Sequence, residues 1–203
     1  MTDAFLLTRQ WRDTREGTVL DFWWATDNGP RWTRVTGQEI VFFVPRQHTE
    51  KITQLLGSIG RATWRLAEVP LKTFVNTPVN ALYCQTQRLA RDIQQLLQNA
   101  GIACWETDIR PAERFLMERF INAAARIESD NSLANPFQVQ LNPPLTPIDY
   151  RPRLRMVSLD IETSMDAKSL YSIAVYSDEV AMVFMVGEGE SNEELQFLAN
   201  AKL

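Results

Sequence analysis

Residues 18–35 read TVLDFWWATDNGPRWTRV, and this stretch predicts two neighbouring strands of an antiparallel sheet. Asp-Asn-Gly at 27–29 separates two runs of alternating residues, which is a strong signal for a tight β-hairpin. Asp21 and Trp23 share one face of the first strand, because successive side chains on a strand point to opposite faces. The opposite face is apolar and carries Leu20, Phe22 and Trp24. We therefore expect antiparallel strands over residues 5–44.

The next part of the chain, residues 62–107, combines strand and helix patterns. Its strand-like runs are 64–69, 79–84 and 102–105. An amphipathic helix is predicted between the last two runs, and Gly101 is a natural end for it. This order predicts a β-α-β unit with one strand before it. Pro111 is expected to open a further helix, since proline is tolerated in the first helical turn.

Proline marks the boundary to the last part of the chain. Five of the ten prolines fall within residues 136–152, and such a segment cannot form a helix interior or a central strand. It predicts a linker between two domains. The strands predicted after it are 155–163, 170–176 and 180–186. Ser191 and Glu194 then fit a capping box at the start of a helix that continues to the last residue. We therefore expect a fragment that ends inside its second domain.

The composition is that of a soluble globular protein. The 203 residues are 45% hydrophobic and 23% charged, and six Trp and ten Phe exclude a disordered chain. Two Cys exclude a disulfide-built secreted scaffold. The N-terminus does not resemble a signal peptide, and no apolar run approaches the ~20 residues that span a bilayer. We therefore expect a cytoplasmic protein.

The net charge of −4 is unevenly distributed along the chain. Residues 1–155 carry 19 Lys and Arg against 16 Asp and Glu, whereas residues 156–203 carry 2 against 9. An acidic segment that follows a slightly basic one suits a metal site beside a polyanion site. A solvated acidic tail fits these charges equally well.

The sharpest candidate for chemistry is SLDIETS at residues 158–164. Asp160 and Glu162 are two residues apart and project from the same face of a strand. Leu159 and Ile161 point the other way, and we expect them to enter a core. Two carboxylates held in this way are a start for a Mg²⁺ or Mn²⁺ site, and two such ions could activate water against a phosphodiester. The alternative interpretation is an ordinary strand end.

Several blocks of the sequence resemble the family B DNA polymerases. DIET at 160–163 is similar to the first exonuclease motif of that family, and WETDIRPAERFLMERF at 105–120 is similar to a signature of its N-terminal domain. RQWRDT at 9–14, FWWATDNGP at 22–30 and DYRPRLRMVSLDIET at 149–163 resemble the bacterial DNA polymerase II branch in particular. The blocks occur in the expected order over essentially the whole chain. The chain is therefore identified as resembling the N-terminal portion of such an enzyme.

The resemblance implies an α+β fold in two domains. Residues 1–150 would form the polymerase N-terminal domain, with an OB-like barrel at 1–45 and an RRM-like βαβ unit at 60–130. The Pro-rich segment 136–152 would be its linker. Residues 151–203 would begin an RNase H-like α/β 3′→5′ exonuclease domain and would contain only its first strands.

The resemblance also implies what the parent protein does. It would be a DNA-directed DNA polymerase, a nucleotidyltransferase with a proofreading 3′→5′ exonuclease that acts in DNA replication and repair near the bacterial nucleoid. Its partners would be template and primer DNA and dNTPs, and a sliding clamp through regions outside this chain. Asp160 would bridge two Mg²⁺ (or Mn²⁺) ions, and Glu162 would bind the ion that holds the attacking water. The other carboxylate motifs of that site, N-x-x-x-F-D and Y-x-x-x-D, do not occur here, so we expect the fragment alone to be inactive.

Four residues are candidates for contact with DNA. Trp23 lies opposite the apolar face of its strand and could stack on a base. Arg151, Arg153 and Arg155 alternate beside the exonuclease strand and could contact phosphate. A barrel core would explain a tryptophan equally well, and a polar linker would explain the arginines.

Three further residues receive a structural interpretation. DAKSLYS, which begins at Asp166, resembles a palm-domain motif of the same family, but Ser172 stands where that motif has proline. We therefore interpret Asp166 as a turn residue. Cys84 and Cys104 lack the C-x-x-C spacing of zinc sites, and we expect them to be buried reduced thiols.

Two other functions compete with the polymerase interpretation. The first is a non-catalytic module that binds single-stranded nucleic acid, in which DIET is only the end of a strand. The second is a small standalone metal-dependent exonuclease. The missing second carboxylate motif counts against the standalone exonuclease.

Overall fold

The computed structural model describes residues 1–60, 62–128 and 138–198, which divide into two compact units. The first unit is Met1–Pro152, and the second is Arg153–Leu203. Strands dominate both units, and all three α-helices of the described ranges lie in the first. Within these ranges, no helix has the length and apolar character that crossing a bilayer requires.

The elements follow one another in chain order. The strands are β1 (Thr2–Thr14), β2 (Gly17–Thr26), β3 (Gly29–Gln38), β4 (Ile40–Pro45), β5 (Trp64–Lys72), β6 (Pro78–Cys84), β7 (Ala124–Ile127), β8 (Val139–Leu141), β9 (Leu145–Pro147), β10 (Ser158–Thr163), β11 (Leu170–Tyr176), β12 (Ala181–Val186) and β13 (Leu195–Leu198). The helices are α1 (Thr49–Leu55), α2 (Gln87–Asn99) and α3 (Pro111–Met117).

The predicted hairpin joins β2 and β3 in a curled six-stranded sheet with the order β8-β3-β2-β1-β7-β9. Thr26 lies opposite Gly29 at the turn, and its hydroxyl donates to the Gly29 carbonyl oxygen at 2.7 Å. The backbone of Gly29 has a φ of 91°, a left-handed conformation that glycine adopts without steric cost. The hairpin prediction is therefore confirmed.

The inner face of this sheet packs against α3. Leu20, Phe22 and Trp24 are completely buried, as the alternation predicts. The ring centroid of Phe22 lies 5.4 Å from that of Phe115 in α3. The buried indole N–H of Trp24 donates to the hydroxyl of Thr33 at 2.9 Å, so it has a partner. Burial of each large apolar side chain contributes about 1.5–3 kcal/mol to the free energy of unfolding.

Strands β4, β5 and β6 form a second sheet, of order β4-β6-β5, with α1 and α2 packed on one face. In the chain this sheet is inserted between β3 and β7, two strands of the first sheet. β4, which the sequence assigned to the OB-like part at 1–45, pairs with β6 instead. The change of sheet therefore occurs between Gln38 and Ile40, because the chain leaves β3 and immediately starts a strand that packs on α2.

The predicted strand at 102–105 is reduced to a single bridge. Trp105 pairs with Phe43 of β4, and each backbone N–H donates to the carbonyl oxygen of the other residue, at 2.9 and 3.0 Å. Ile102 is still attached to the end of α2, since its N–H donates to the Leu97 carbonyl oxygen at 2.9 Å. The chain thus leaves the helix too late to form a full strand, and this part of the β-α-β prediction is wrong.

The predicted Pro-rich linker is part of the first sheet. β8 pairs in parallel with β3, and β9 pairs antiparallel with β7, so the two strands form the two edges of the sheet. Proline lacks an N–H and is tolerated at an edge, which agrees with the exclusion of a central strand. The linker interpretation is wrong for residues 138–147, and positions 136 and 137 lie outside the described residues.

The second unit is one sheet of order β10-β11-β12-β13. The strand predicted at 155–163 begins only at Ser158. Leu159 and Ile161, which were expected in a core, are 64% and 57% exposed. They are exposed because no helix covers either face of this sheet within the described residues of the unit.

The helix predicted from Ser191 is also wrong. Leu195–Leu198 forms β13, which pairs in parallel with β12. The Asn192 side-chain oxygen accepts hydrogen bonds from the N–H groups of Glu194 and Leu195, and the Ser191 hydroxyl accepts from Phe197. Ser and Asn side chains often cap helices, but at this position they stabilise the turn that leads into a strand. Residues 199–203 lie outside the described part of the chain.

Asp13 connects the two sheets of the first unit. Its carboxylate accepts hydrogen bonds from the N–H groups of Gln87 at 3.0 Å and Arg88 at 2.8 Å, in the first turn of α2. The hydroxyl of Thr18 donates to the same carboxylate at 2.7 Å. A negative charge from β1 therefore satisfies free N–H groups at the positive end of α2.

Replacing Asp13 by alanine should lower the free energy of unfolding by about 1–2 kcal/mol, because the N–H groups of Gln87 and Arg88 lose their acceptor. Urea denaturation of the 203-residue chain measures this change. Glu16→Ala is the matched control, since Glu16 is exposed in the neighbouring turn. An equal loss in both variants would contradict the capping role.

Candidate functional site

Asp160 and Glu162 lie two residues apart on β10, as predicted. Their partners across the ladder to β11 are Ala174 and Ser172, both small residues. Both acidic residues are exposed, and the N–H of Ile161 donates to Asp160 Oδ1 at 3.1 Å. The strand thus presents two carboxylates to solvent from a regular β-strand backbone.

These two carboxylates fit only part of a metal site. Their oxygens are the hard ligands that Mg²⁺ and Mn²⁺ prefer. In residues 1–60, 62–128 and 138–198, however, no group of three or more His, Cys, Asp or Glu side chains is arranged to hold a metal ion. Two carboxylates leave most positions around the ion to water or to ligands outside the described residues.

The carboxylate of Asp166 is used in the turn between β10 and β11. The Ser164 hydroxyl donates to Asp166 Oδ1 at 2.6 Å, and the Lys168 N–H donates to the same oxygen at 3.3 Å. The hydrogen bond from Ser164 is the main cause of the lowered pKa of Asp166. The interpretation as a turn residue is confirmed.

The three candidate arginines lie in a segment without regular secondary structure. Arg151 belongs to the first unit, whereas Arg153 and Arg155 belong to the second. All three are exposed, and Arg151 Nε lies 3.8 Å from the equally exposed Asp149. Because β10 begins at Ser158, the alternation of a strand does not apply to them. Contact with phosphate stays a prediction for these residues.

Trp23 lies on the outer face of the first sheet, opposite the core. It stacks on Trp32 of β3, with ring centroids 5.0 Å apart and an angle of 14° between the planes. The guanidinium of Arg34 lies 4.9 Å from the Trp32 ring centroid. All three side chains are half-buried. Flat rings beside a guanidinium are a chemistry that can hold nucleobases.

Asp21 lies next to this stack and was not singled out from the sequence as a site residue. It is 5% exposed, and its carboxylate accepts hydrogen bonds from Trp32 Nε1 at 2.8 Å, Arg34 Nε at 2.8 Å and Arg12 Nη1. Burial raises the pKa of Asp21, but the hydrogen bonds from Arg34, Trp32 and Arg12 outweigh burial and hold the pKa below its ordinary value. We call these four residues the Asp21 cluster.

The hairpin turn that the sequence predicts also sets the register that brings part of the Asp21 cluster together. Once Thr26 is placed opposite Gly29, the register brings Trp23 opposite Trp32 and Asp21 opposite Arg34. Directly opposite residues on one face are near enough to interact. The register of the sequence-predicted turn therefore predicts both pairs, whereas the face of one strand alone predicts only that Asp21 and Trp23 lie together.

The two cysteines are protonated structural thiols. Burial raises the pKa of Cys84 to about 12 and that of Cys104 to about 11. Both are free, Cys84 being buried and Cys104 half-buried. A nucleophile or metal ligand requires the thiolate, which is scarce at neutral pH for such groups. The prediction of reduced thiols agrees with both cysteines being free, but only Cys84 is buried as predicted.

A cavity of about 450 Å³ in the first unit contains none of the predicted site residues. Its lining is mainly apolar: Phe43, Leu71, Phe74, Val75, Val79 and Trp105. Phe74, at the tip of the β5–β6 hairpin, is fully exposed. The sequence pattern did not reveal this cavity, because its walls come from three separate segments.

Family models match the first half of the chain. Residues 4–39 match the model described as DNA polymerase II, N-terminal, and residues 40–102 match DNA polymerase II, insertion domain. The border between the two matches coincides with the change from the first sheet to the second. The second sheet is therefore the inserted part in structure as well as in the family description.

Known proteins extend the similarity to nearly the whole chain. DNA polymerase II of Escherichia coli (strain K12) is 37% identical over 202 residues, which are 97% of this chain and 25% of that protein. The chain thus spans about a quarter of the length of this relative. The family B DNA polymerase of the archaeon Pyrobaculum calidifontis has the same fold, with a TM-score of 0.69 and 15% identity over 95% of this chain and 28% of that one. The predicted resemblance to the N-terminal portion of a bacterial family B DNA polymerase and the predicted fold class are confirmed.

The lowered pKa of Asp21 makes stability depend on pH. A carboxyl whose pKa is lower in the folded chain stabilises it above the unfolded pKa, and this contribution is lost as the pH falls through the folded pKa. We expect Asp21→Asn to reduce the free energy of unfolding by about 1–3 kcal/mol at pH 7 and by less below about pH 4. Urea titrations at a series of pH values measure both effects.

Asp92→Asn is the matched control for this series, since Asp92 is exposed on α2. It should leave the free energy of unfolding at pH 7 nearly unchanged. If the free energies of unfolding of wild type and Asp21→Asn differed by the same amount at every acidic pH, the lowered pKa of Asp21 would be contradicted.

Proposed function

We propose that this chain, which has the N-terminal and insertion domains of the DNA polymerase II family, forms the N-terminal part of a DNA-directed DNA polymerase. The observation that supports this proposal most strongly is the 37% identity to DNA polymerase II of Escherichia coli over 97% of the chain. Template-directed nucleotidyl transfer would occur elsewhere in the parent protein. Template and primer DNA and dNTPs would be its substrates.

The second unit would begin a 3′→5′ proofreading exonuclease. Asp160 and Glu162 support this assignment because β10 holds both carboxylates in one exposed strand. They would contribute ligands to Mg²⁺ or Mn²⁺, with the remaining ligands supplied by the rest of the parent. Bound divalent ions would activate water and stabilise the leaving oxygen of a phosphodiester.

The isolated chain would be inactive in both reactions. Two ligands cannot fix two metal ions, and the described residues offer no third group beside them. For the parent we propose a role in replication and repair of DNA in the bacterial cytoplasm. A sliding clamp would bind through regions outside this chain.

The exonuclease assignment is tested on the full-length parent protein. Asp160→Ala and Glu162→Ala should each lower the rate of 3′→5′ excision by about a hundredfold or more, because each removes a metal ligand. Primer extension by the same variants should remain near the wild-type rate. Excision and extension are measured on a labelled primer–template with Mg²⁺ or Mn²⁺.

Asp166→Ala is the matched control, since it removes a nearby carboxylate that is used in a turn. Normal excision by Asp160→Ala would contradict the exonuclease assignment. Excision by the 203-residue chain that is abolished by Asp160→Ala would instead favour a standalone exonuclease.

A second candidate function is the binding of single-stranded nucleic acid by the first unit. The observation that favours it is the stack of Trp23 on Trp32, with Arg34 beside the ring, on the outer face of the sheet. Stacking on an aromatic ring contributes about 1–3 kcal/mol per base. This function is compatible with the polymerase proposal, because a polymerase must guide a template strand.

We expect Trp23→Ala to weaken binding of oligodeoxythymidine to the 203-residue chain about fivefold or more, because one stacking partner is lost. Fluorescence anisotropy at low salt measures the dissociation constant. Phe74→Ala is the control: it removes an exposed aromatic ring from the β5–β6 hairpin and should change the dissociation constant little. Equal binding by wild type and Trp23→Ala would exclude this face as the binding surface.

A further inference from the structure

Strand β1 has a free edge along much of its length. It pairs with β2 from Phe5 to Thr14, but it pairs with β7 only from Thr2 to Phe5. Among the described strands, none pairs with the side of β1 opposite β2 from Leu7 onward. A strand edge of this kind presents backbone N–H donors and C=O acceptors in alternation.

A cavity of about 440 Å³ lies along this edge. One wall is the continuous segment Leu7–Trp11 of β1, and the other consists of Arg110, Ala112 and Glu113 at the start of α3. Leu7 is 52% exposed although it is a large apolar side chain. The edge thus lies in a concave surface, where an added chain would contact β1 on one side and α3 on the other.

The cavity carries an excess of positive charge. Arg9 Nη2 lies 3.0 Å and Arg110 Nη1 lies 3.8 Å from the same oxygen of Glu113. One carboxylate therefore serves two guanidinium groups, and Arg110 is 74% exposed. A second carboxylate, from a bound molecule, would neutralise the positive charge that Glu113 alone leaves in excess.

We propose that the free edge of β1 binds an extended, acidic segment of a partner protein as an added strand. An extended peptide can satisfy both the N–H and the C=O groups of the edge. A phosphodiester chain can satisfy only the N–H groups and would bring its negative oxygens against the carbonyl oxygens. Arg9 and Arg110 would then select carboxylate side chains of the added strand.

Three synthetic hexapeptides test this site on the isotope-labelled 203-residue chain. The first alternates threonine and glutamate, the second has lysine in place of glutamate, and the third is the first with alternate backbone nitrogens methylated. Only the first should slow hydrogen exchange of amides in residues 7–14, and its dissociation constant should be about tenfold lower than that of the other two. Chemical-shift titration measures each constant up to the millimolar range.

The double variant Arg9→Gln/Arg110→Gln should weaken binding of the acidic peptide about tenfold. Arg15→Gln/Arg88→Gln removes the same charge from exposed positions outside the cavity and should leave binding within about twofold. Thermal unfolding of both variants shows that they are folded.

Four results would overturn the proposal. One is the absence of shifts in residues 7–14 at about 1 mM acidic peptide, which would mean that the charged side chains only protect a strand edge. Another is equal binding of the methylated peptide, which would leave charge alone as the cause. A third is equal weakening of peptide binding by the two double variants, which would mean that the cavity arginines do not select the peptide. The last is displacement of the peptide by oligodeoxythymidine with the same amide protection, which would assign the edge to nucleic acid.

Discussion

The first unit depends on the burial of β2 on both of its faces. The inner face places Phe22 and its apolar neighbours against α3, and the outer face places Asp21 under two arginines and a tryptophan. A carboxylate in such a position requires donors for its oxygens, and strand β3 and strand β1 supply them. A slip of one residue in the register would send Asp21 into the apolar core. The core and the polar outer face therefore fix the same register from opposite sides.

The start of β2 adds a third constraint. Gly17 has a φ of 132°, and a Cβ atom there would lie 3.3 Å from the carbonyl oxygen of Gln85, the residue that follows β6 of the second sheet. The N–H of Thr18 donates to that same oxygen at 3.2 Å. Glycine at this position thus permits a close backbone approach that, together with Asp13, joins the two sheets of the first unit.

Local periodicity predicted the parts of this fold that local interactions determine. The hairpin, the amphipathic helix α2 and the common face of Asp160 and Glu162 follow from patterns within a few residues. The sequence did not predict that β8 and β9 complete the first sheet, because their partners are distant in the chain. The Asn142 side chain, for example, accepts from the N–H of Thr36 at 2.8 Å, across 106 positions. The exposure of Leu159 was likewise unpredictable, since it depends on which elements cover the sheet.

The insertion of residues 40–102 between β3 and β7 has a consequence for the order of folding during synthesis. The ion pair of Asp3 with Arg126, at 2.7 Å, joins positions 123 residues apart, so β7 cannot reach β1 until most of the first unit has been made. The inserted sheet contains its own helices, and its most distant strand pair, Ile40 with Cys84, spans 44 positions, so the inserted sheet is expected to form first. Once folded, it acts as a compact spacer that replaces a long flexible loop and lowers the entropic cost of bringing β7 to β1 on the nascent chain.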